Sequence, residues 1–160
     1  MKANIKANIK TNKATIENHD LGIFVATSMF LTGYDAIELV ATGMAETYFN
    51  VVMNKNPVAV VQSFLVAADD IIKRNKDNPE KLNEEILNQL MPDALYGGLA
   101  QNIITMWYMG NWMNEMVSSQ AYIQGLVWKT AGSHPPGAQQ PGYGSWHNPP
   151  LATPLTIQKK

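Results

Sequence analysis

Three histidines, His19, His134 and His147, are the first residues to test for chemistry. No two share a helical turn, and none belongs to a His-x-x-x-His or His-Glu-x-x-His pattern. Metal ligands must converge at fixed bond lengths, and this spacing gives them no common element, so each histidine reads as a cap or a surface hydrogen-bonding group. Paired carboxylates stand at Asp69-Asp70 and Glu84-Glu85. Neighbours on a helix point about 100° apart, so neither pair can face one reacting atom together. Lys73, Arg74 and Lys81 lie nearby, which reads as a solvated face. Gly97-Gly98 lacks the Gly-x-Gly-x-x-Gly spacing and the preceding strand of a dinucleotide turn, and reads as a place of close helix packing. No Gly-x-Ser-x-Gly and no Walker loop occurs. The chain has no cysteine, which excludes disulfides, thiolate metal sites and a cysteine nucleophile.

The elements that would carry these residues are helical. Asp20 is placed to cap a first helix that Gly33 closes. Asp35 begins a second, in which Ile37, Val40, Ala41, Met44, Tyr48 and Val51 recur at three and four and predict one buried face. Asn54 to Pro57 ends it. Pro57 suits the first turn of a third helix, striped by Val58, Val61, Leu65, Ala68 and Ile72. Asn78-Pro79-Glu80 opens a fourth, with Leu82, Ile86 and Leu90 on its buried side. Asp93 caps a fifth through Leu95, Leu99, Ile103 and Met106, and Ser118 or Ser119 caps a last one from Gln120 to Trp128. No internal repeat and no strand-like alternation of useful length emerges. The fold class is therefore all-α: a small helical domain of about five to six helices over residues 20–130. A basic arm precedes it at 1–19, and an extended Pro/Gly/Trp-rich tail follows at 131–160.

Composition narrows the function. At 160 residues the chain fits one domain and can bury roughly two-thirds of its unfolded surface. Apolar residues make up 46% and charged ones 16%, against about 25% charged in an ordinary domain. A surface so short of charge calls for cover by another molecule. A net charge of -1 argues against nucleic acid; only Lys2, Lys6, Lys10 and Lys13 form a basic run. No run reaches the ~18 apolar residues of a membrane span, and no secretory cleavage pattern follows the first apolar stretch.

The charge deficit is concentrated at the C-terminal end, where Lys129 is the one charged residue between Glu115 and Lys159. The segment Met106 to Met113 is apolar on nearly all sides, and an uncharged proline-rich strip follows it. Aromatic rings dominate interface energetics where charge is depleted, and prolines lower the ordering cost of an extended tail. Trp107, Tyr108, Trp112, Trp128, Tyr143, Trp146, Pro149 and Pro150 are accordingly the expected partner-binding residues. On this reading the face from Trp107 to Trp112 and the tail stay wet in the isolated chain.

Several segments occur in a characteristic order: Phe30-Leu31-Thr32-Gly33, Met106-Trp107-Tyr108-Met109-Gly110, Ala121-Tyr122, Leu126-Val127-Trp128, Pro136-Gly137, Gly144-Ser145-Trp146 and Pro149-Pro150. In this order the chain resembles, over roughly residues 24–150, the small (gamma) subunit of bacterial FAD-dependent sugar and polyol dehydrogenase complexes of the sorbitol, fructose, glucose and gluconate types. The resemblance implies a non-catalytic subunit that carries neither flavin nor haem of its own. It implies binding to a large FAD-containing subunit of the glucose-methanol-choline type, which it stabilises and helps to mature or export. A third subunit with several haems c, a periplasmic location or one peripheral to the inner membrane, and a tail that runs over the large chain are also implied. Two features depart from the family. The twin-arginine leader is absent, so either it has been removed or the protein is cytoplasmic. The cysteine that some relatives carry near Ser133-His134-Pro135 is absent too, which leaves a non-covalent hold. Two other classes stay open: a stand-alone helical enzyme using His134 or His147, and a homo-oligomeric helical scaffold.

Overall fold

A computed structural model describes residues 18–138, and the described residues open with a helix, α1, over residues 18–32. Phe24, Val25 and Leu31 of α1 are buried, and so are Thr27, Ser28 and Thr32. Thr27 and Thr32 meet their hydroxyl needs within the helix, donating to the Ile23 and Ser28 carbonyls at 2.8 and 2.7 Å, the four-residue back-bond that lets Thr sit in an apolar stripe. Gly33 closes α1 as expected, with φ +77 and its N–H donating to the Met29 carbonyl at 2.8 Å.

Asp35 starts α2 (Ala36–Ala41) through a complete capping box. Its carboxylate accepts the Glu38 N–H at 2.8 Å, and Glu38 Oε2 accepts the Asp35 N–H at 3.2 Å. The long second helix expected from the apolar spacing is in fact two. Thr42 donates its hydroxyl to the Leu39 carbonyl at 2.7 Å, and Gly43 takes φ +70, so the axis turns before α3 (Ala45–Lys55) begins. The single face is therefore broken. Met44 and Tyr48 are buried, but Ile37 and Val40 are 80% and 56% exposed, and Leu39 takes the core position on α2.

α4 (Val58–Arg74) buries Val61, Phe64, Leu65, Ala68 and Ile71 and leaves Val58 exposed. α5 (Pro79–Gln89) is capped by Asn78, whose side chain accepts the Lys81 N–H at 3.0 Å, and it turns Leu82 and Ile86 inward. The charged hairpin between them is solvated, as expected: Lys73 pairs with Asp69 at 2.5 Å and Arg74 with Glu85 at 3.5 Å. Buried Asn75 ties the two helices, donating to the Ile71 carbonyl and to Glu85.

Asp93 accepts the N–H groups of Leu95 and Tyr96 at 2.7 and 2.9 Å, forming the turn that leads into α6 (Gly97–Met109). Leu95 itself is exposed. Gly97 packs so closely that a Cβ there would overlap the Met91 carbonyl, whereas Gly98 faces open space. The expected close packing thus belongs to the first glycine alone. After α6 comes a short hairpin that the sequence pattern does not announce, β1 (Asn111–Trp112) against β2 (Glu115–Met116), antiparallel with Trp112 opposite Glu115. The last expected helix is also two, α7 (Ser119–Ile123), capped by Ser118, and α8 (Leu126–Thr130), with Gly125 between them.

The result is a small all-α domain built around α6. Trp107 is its centre: Tyr48 meets it edge-on with ring centroids 4.8 Å apart, Phe24 lies at 6.3 Å, and Phe49 packs on Phe24 at 5.6 Å. Each such side chain contributes roughly 1.5–3 kcal/mol of burial. Two polar atoms in this aromatic cluster, Tyr48 OH and Trp107 Nε1, have no hydrogen-bond partner among the described residues. Burial pushes the Tyr48 phenol well above its ordinary range. A buried hydroxyl without a partner costs about 1–3 kcal/mol. Tyr48→Phe should therefore raise stability by about 1 kcal/mol, seen as a higher urea midpoint at unchanged slope; a lowered midpoint would show that the hydroxyl has a partner after all.

Candidate partner-binding surface

The end of α6 is where the singled-out segments meet. Tyr108 reaches across to α1, its hydroxyl donating to the Thr32 carbonyl at 2.9 Å, and its ring meets Tyr34 edge-on at 6.2 Å. One residue beyond α6, Gly110 (φ +71) lies against α7. A Cβ on it would stand 2.5 Å from the Ala121 carbonyl. Gly125 is as tight, since a Cβ there would stand 2.7 Å from the Tyr108 carbonyl oxygen. These two glycines let three backbones meet where side chains would hold them apart.

The path continues into the start of the tail. Trp128 donates its indole N–H to the Tyr122 carbonyl at 2.6 Å, and the two rings meet edge-on at 5.2 Å. Ser133 N–H donates to the Trp128 carbonyl at 2.9 Å. Tyr122 then donates its hydroxyl to the Pro136 carbonyl at 3.2 Å, and Pro135 is buried. Residues 131–138 are thus fastened to α7 and α8 rather than leaving the domain at residue 130.

Beside this seat runs a cleft of about 420 Å³ between α2 and α7–α8, walled by Tyr34, Glu38, Trp128, Lys129, His134 and Pro135. A latch crosses it. Lys129 pairs with Glu38 and sits 5.4 Å from the centre of the Tyr34 ring, while the Tyr34 and Thr130 hydroxyls share a 2.7 Å hydrogen bond. The hydrogen bond from Lys129, followed by that of the Asp35 N–H, holds the Glu38 carboxyl below its usual range. The same contact with Glu38 raises the Lys129 ammonium. Both groups are solvent-facing, so the pair orients the helices more than it stabilises them.

The expected contact residues divide into three groups. Trp107 and Trp112 are 1% and 4% exposed and belong to the core, so the expectation that they lie on a wet face is corrected: Phe24 of α1 and Tyr48 of α3 pack on Trp107, while Met109 between them is exposed. Tyr108 and Trp128 are half-buried at the seat, with their polar atoms engaged inside the chain. Tyr143, Trp146, Pro149 and Pro150 lie outside the described residues, as does His147. His134 is exposed in the cleft, and His19 faces Asp20 at 3.7 Å.

Tyr34 and Glu38 carried no signal in the sequence, whereas Tyr122 stood in the Ala121-Tyr122 segment and Lys129 stood out as the one charge in an uncharged stretch. Among the described residues no His, Cys, Asp or Glu group is arranged to hold a metal ion, and no helix is long and apolar enough to cross a membrane. No family model, curated protein or solved structure matches the chain.

Proposed function

We propose that the chain is a non-catalytic small subunit of an FAD-dependent sugar or polyol dehydrogenase complex, an oxidoreductase acting on CH–OH groups. It binds and stabilises the large FAD-containing subunit and helps it mature or reach the periplasm, where a subunit bearing haem c can take the electrons. The observation that supports this reading is convergence. Of the segments that carry the resemblance, Phe30–Gly33 lies 76 positions from Met106–Gly110 at their contact, yet it meets the cluster that Met106–Gly110, Ala121-Tyr122, Leu126–Trp128 and Pro136-Gly137 form at one end of the domain. Together they form a seat that holds residues 133–136 at that end. A small subunit that lays its tail over a large one needs such a rigid point of departure, because fixing it lowers the ordering cost of binding.

The test is purification of the tagged chain from its native host at native expression. It should carry a larger protein whose oxidised-flavin absorbance bleaches when the right sugar or polyol is added. Trp146→Ala should cut recovery of that flavoprotein at least tenfold, while the circular dichroism of the isolated chain stays the same. A flavin-free homo-oligomer in light scattering, or sugar oxidation by the chain alone, would overturn the reading in favour of a scaffold or a stand-alone enzyme.

A further inference from the structure

Open space lies on both sides of α2. Toward α7–α8 is the cleft of about 420 Å³, and toward α1 is a groove of about 510 Å³ between Val25 and Met29 on one wall and Ala36 and Val40 on the other. Of the six residues of α2 only Leu39 is buried, while Ile37 and Val40 stand mostly in water. A left-handed glycine flanks each end, Gly33 (φ +77) and Gly43 (φ +70), and neither would have a neighbour within 4 Å of an added Cβ. Glycine changes φ and ψ at little steric cost, and a few such positions at the ends of an element can serve as hinges. The bonds that shape α2 are local. The Asp35–Glu38 capping box and the Thr42 hydroxyl on the Leu39 carbonyl all close within residues 35–42. Few contacts tie the segment to the domain: the Leu39 side chain, the Tyr34 N–H on the Thr32 hydroxyl at 3.3 Å, the Tyr34 ring against Tyr108, and the latch to α8 in which Glu38 meets Lys129 and Tyr34 meets Thr130.

We propose that residues 34–42 form a hinged wall of the cleft, which swings out on Gly33 and Gly43 while the core around α6 stays folded, with the Lys129–Glu38 and Tyr34–Thr130 contacts as its catch. Solvent-facing pairs of this kind hold weakly, so the wall opens far more often than the domain unfolds. Its departure uncovers the α7–α8 side of the cleft, with Leu126, Trp128 and Pro135. Access to that surface is thereby set by the catch. The inference rests on the packing of the chain itself and holds whichever partner the domain serves.

Limited proteolysis of the full-length chain tests it. A six-residue helix released from the domain is not stable alone, so opening exposes the bond after Leu39 to a chymotrypsin-type protease. Cleavage then follows the open population, because reclosing is fast. The bond after Trp107, at the centre of the core, is cut only when the domain unfolds. Each initial rate is divided by that of the same bond in a free peptide. The Leu39 bond should be cut at least tenfold faster than the Trp107 bond. Lys129→Ala, a surface change, should speed the Leu39 cut at least threefold. Ile86→Val, a core change on α5, should speed the Trp107 cut at least twofold and leave the Leu39 cut unchanged. Equal rates at the two bonds, or an Ile86→Val effect of the same size on both, would mean that α2 leaves only when the whole domain unfolds, and would overturn the proposal. So would a Leu39 cut that Lys129→Ala leaves unchanged, since the catch would then hold nothing.

Discussion

Gly110→Ala is expected to destabilise the domain by about 3 kcal/mol or more. Two costs coincide at this residue. Its backbone is left-handed, with φ +71 and ψ 17, a conformation that costs an L-residue about 1–2 kcal/mol. Its Cβ would also stand 2.5 Å from the Ala121 carbonyl carbon and oxygen and 2.7 Å from the Tyr122 nitrogen. Those are backbone atoms of α7 and cannot swing aside as a side-chain tip could. Gly110 cannot retreat either, because its N–H donates to the Met106 carbonyl and its own carbonyl accepts from Val117, both at 2.9 Å. Relief therefore means moving α7, and with it the Tyr122–Trp128 seat. Gly33→Ala and Gly43→Ala are the controls. Both glycines have positive φ but open space where the Cβ would go, so each should cost only the left-handed term of about 1 kcal/mol. Urea unfolding of the three variants separates the terms. If Gly110→Ala costs no more than Gly33→Ala, then α6 and α7 do not approach as closely as described.

The signals that could be read from sequence were local ones. Asp35, Asn78 and Ser118 each satisfy an orphan N–H three residues ahead, and a carboxylate, amide or hydroxyl at that distance needs no distant partner to act. Gly33 ends its helix for a reason equally contained in its own turn. The buried stripe of α5 follows from periodicity, and that of α4 in part, since Val61, Leu65 and Ala68 are buried but Val58 is exposed and Phe64 and Ile71 take core positions that the stripe did not include. What the sequence concealed was long-range. Nothing near Gly43 tells the reader that an apolar repeat running from Ile37 to Val51 is interrupted, since the repeat on either side of the break keeps its spacing. The contact between Tyr108 and Thr32 spans 76 positions and that between Lys129 and Glu38 spans 91, so the seat and its latch appear only after the chain has folded. Trp107 and Trp112 show the same limit. A segment apolar on nearly all sides serves either a partner or the chain's own core, and for Trp107 it is the packing of Phe24 and Tyr48 from α1 and α3 that decides between them.

That decision can be tested on Trp107 directly. Trp107→Ala should cost the isolated chain about 3–5 kcal/mol, the range for emptying a large aromatic site in a packed core. Tyr48, Phe24 and the residues behind them lose their shared centre, and helices that are individually short cannot close the gap without giving up their own packing. A residue that merely waited for a partner would behave otherwise, leaving the isolated chain as stable as before and weakening only the complex. Trp107→Phe sharpens the distinction. It removes part of the ring but also the indole N–H, which has no partner among the described residues, so the loss of volume is partly offset by relief of a buried unsatisfied donor. Its cost should fall to less than half that of Trp107→Ala. Equal costs for the two would mean that the indole N–H is hydrogen-bonded in solution, and unchanged stability in both would return Trp107 to the surface. A large loss in Trp107→Ala with a smaller one in Trp107→Phe would place Trp107 in the chain's own aromatic core around α6, where Tyr48 and Phe24 pack against it.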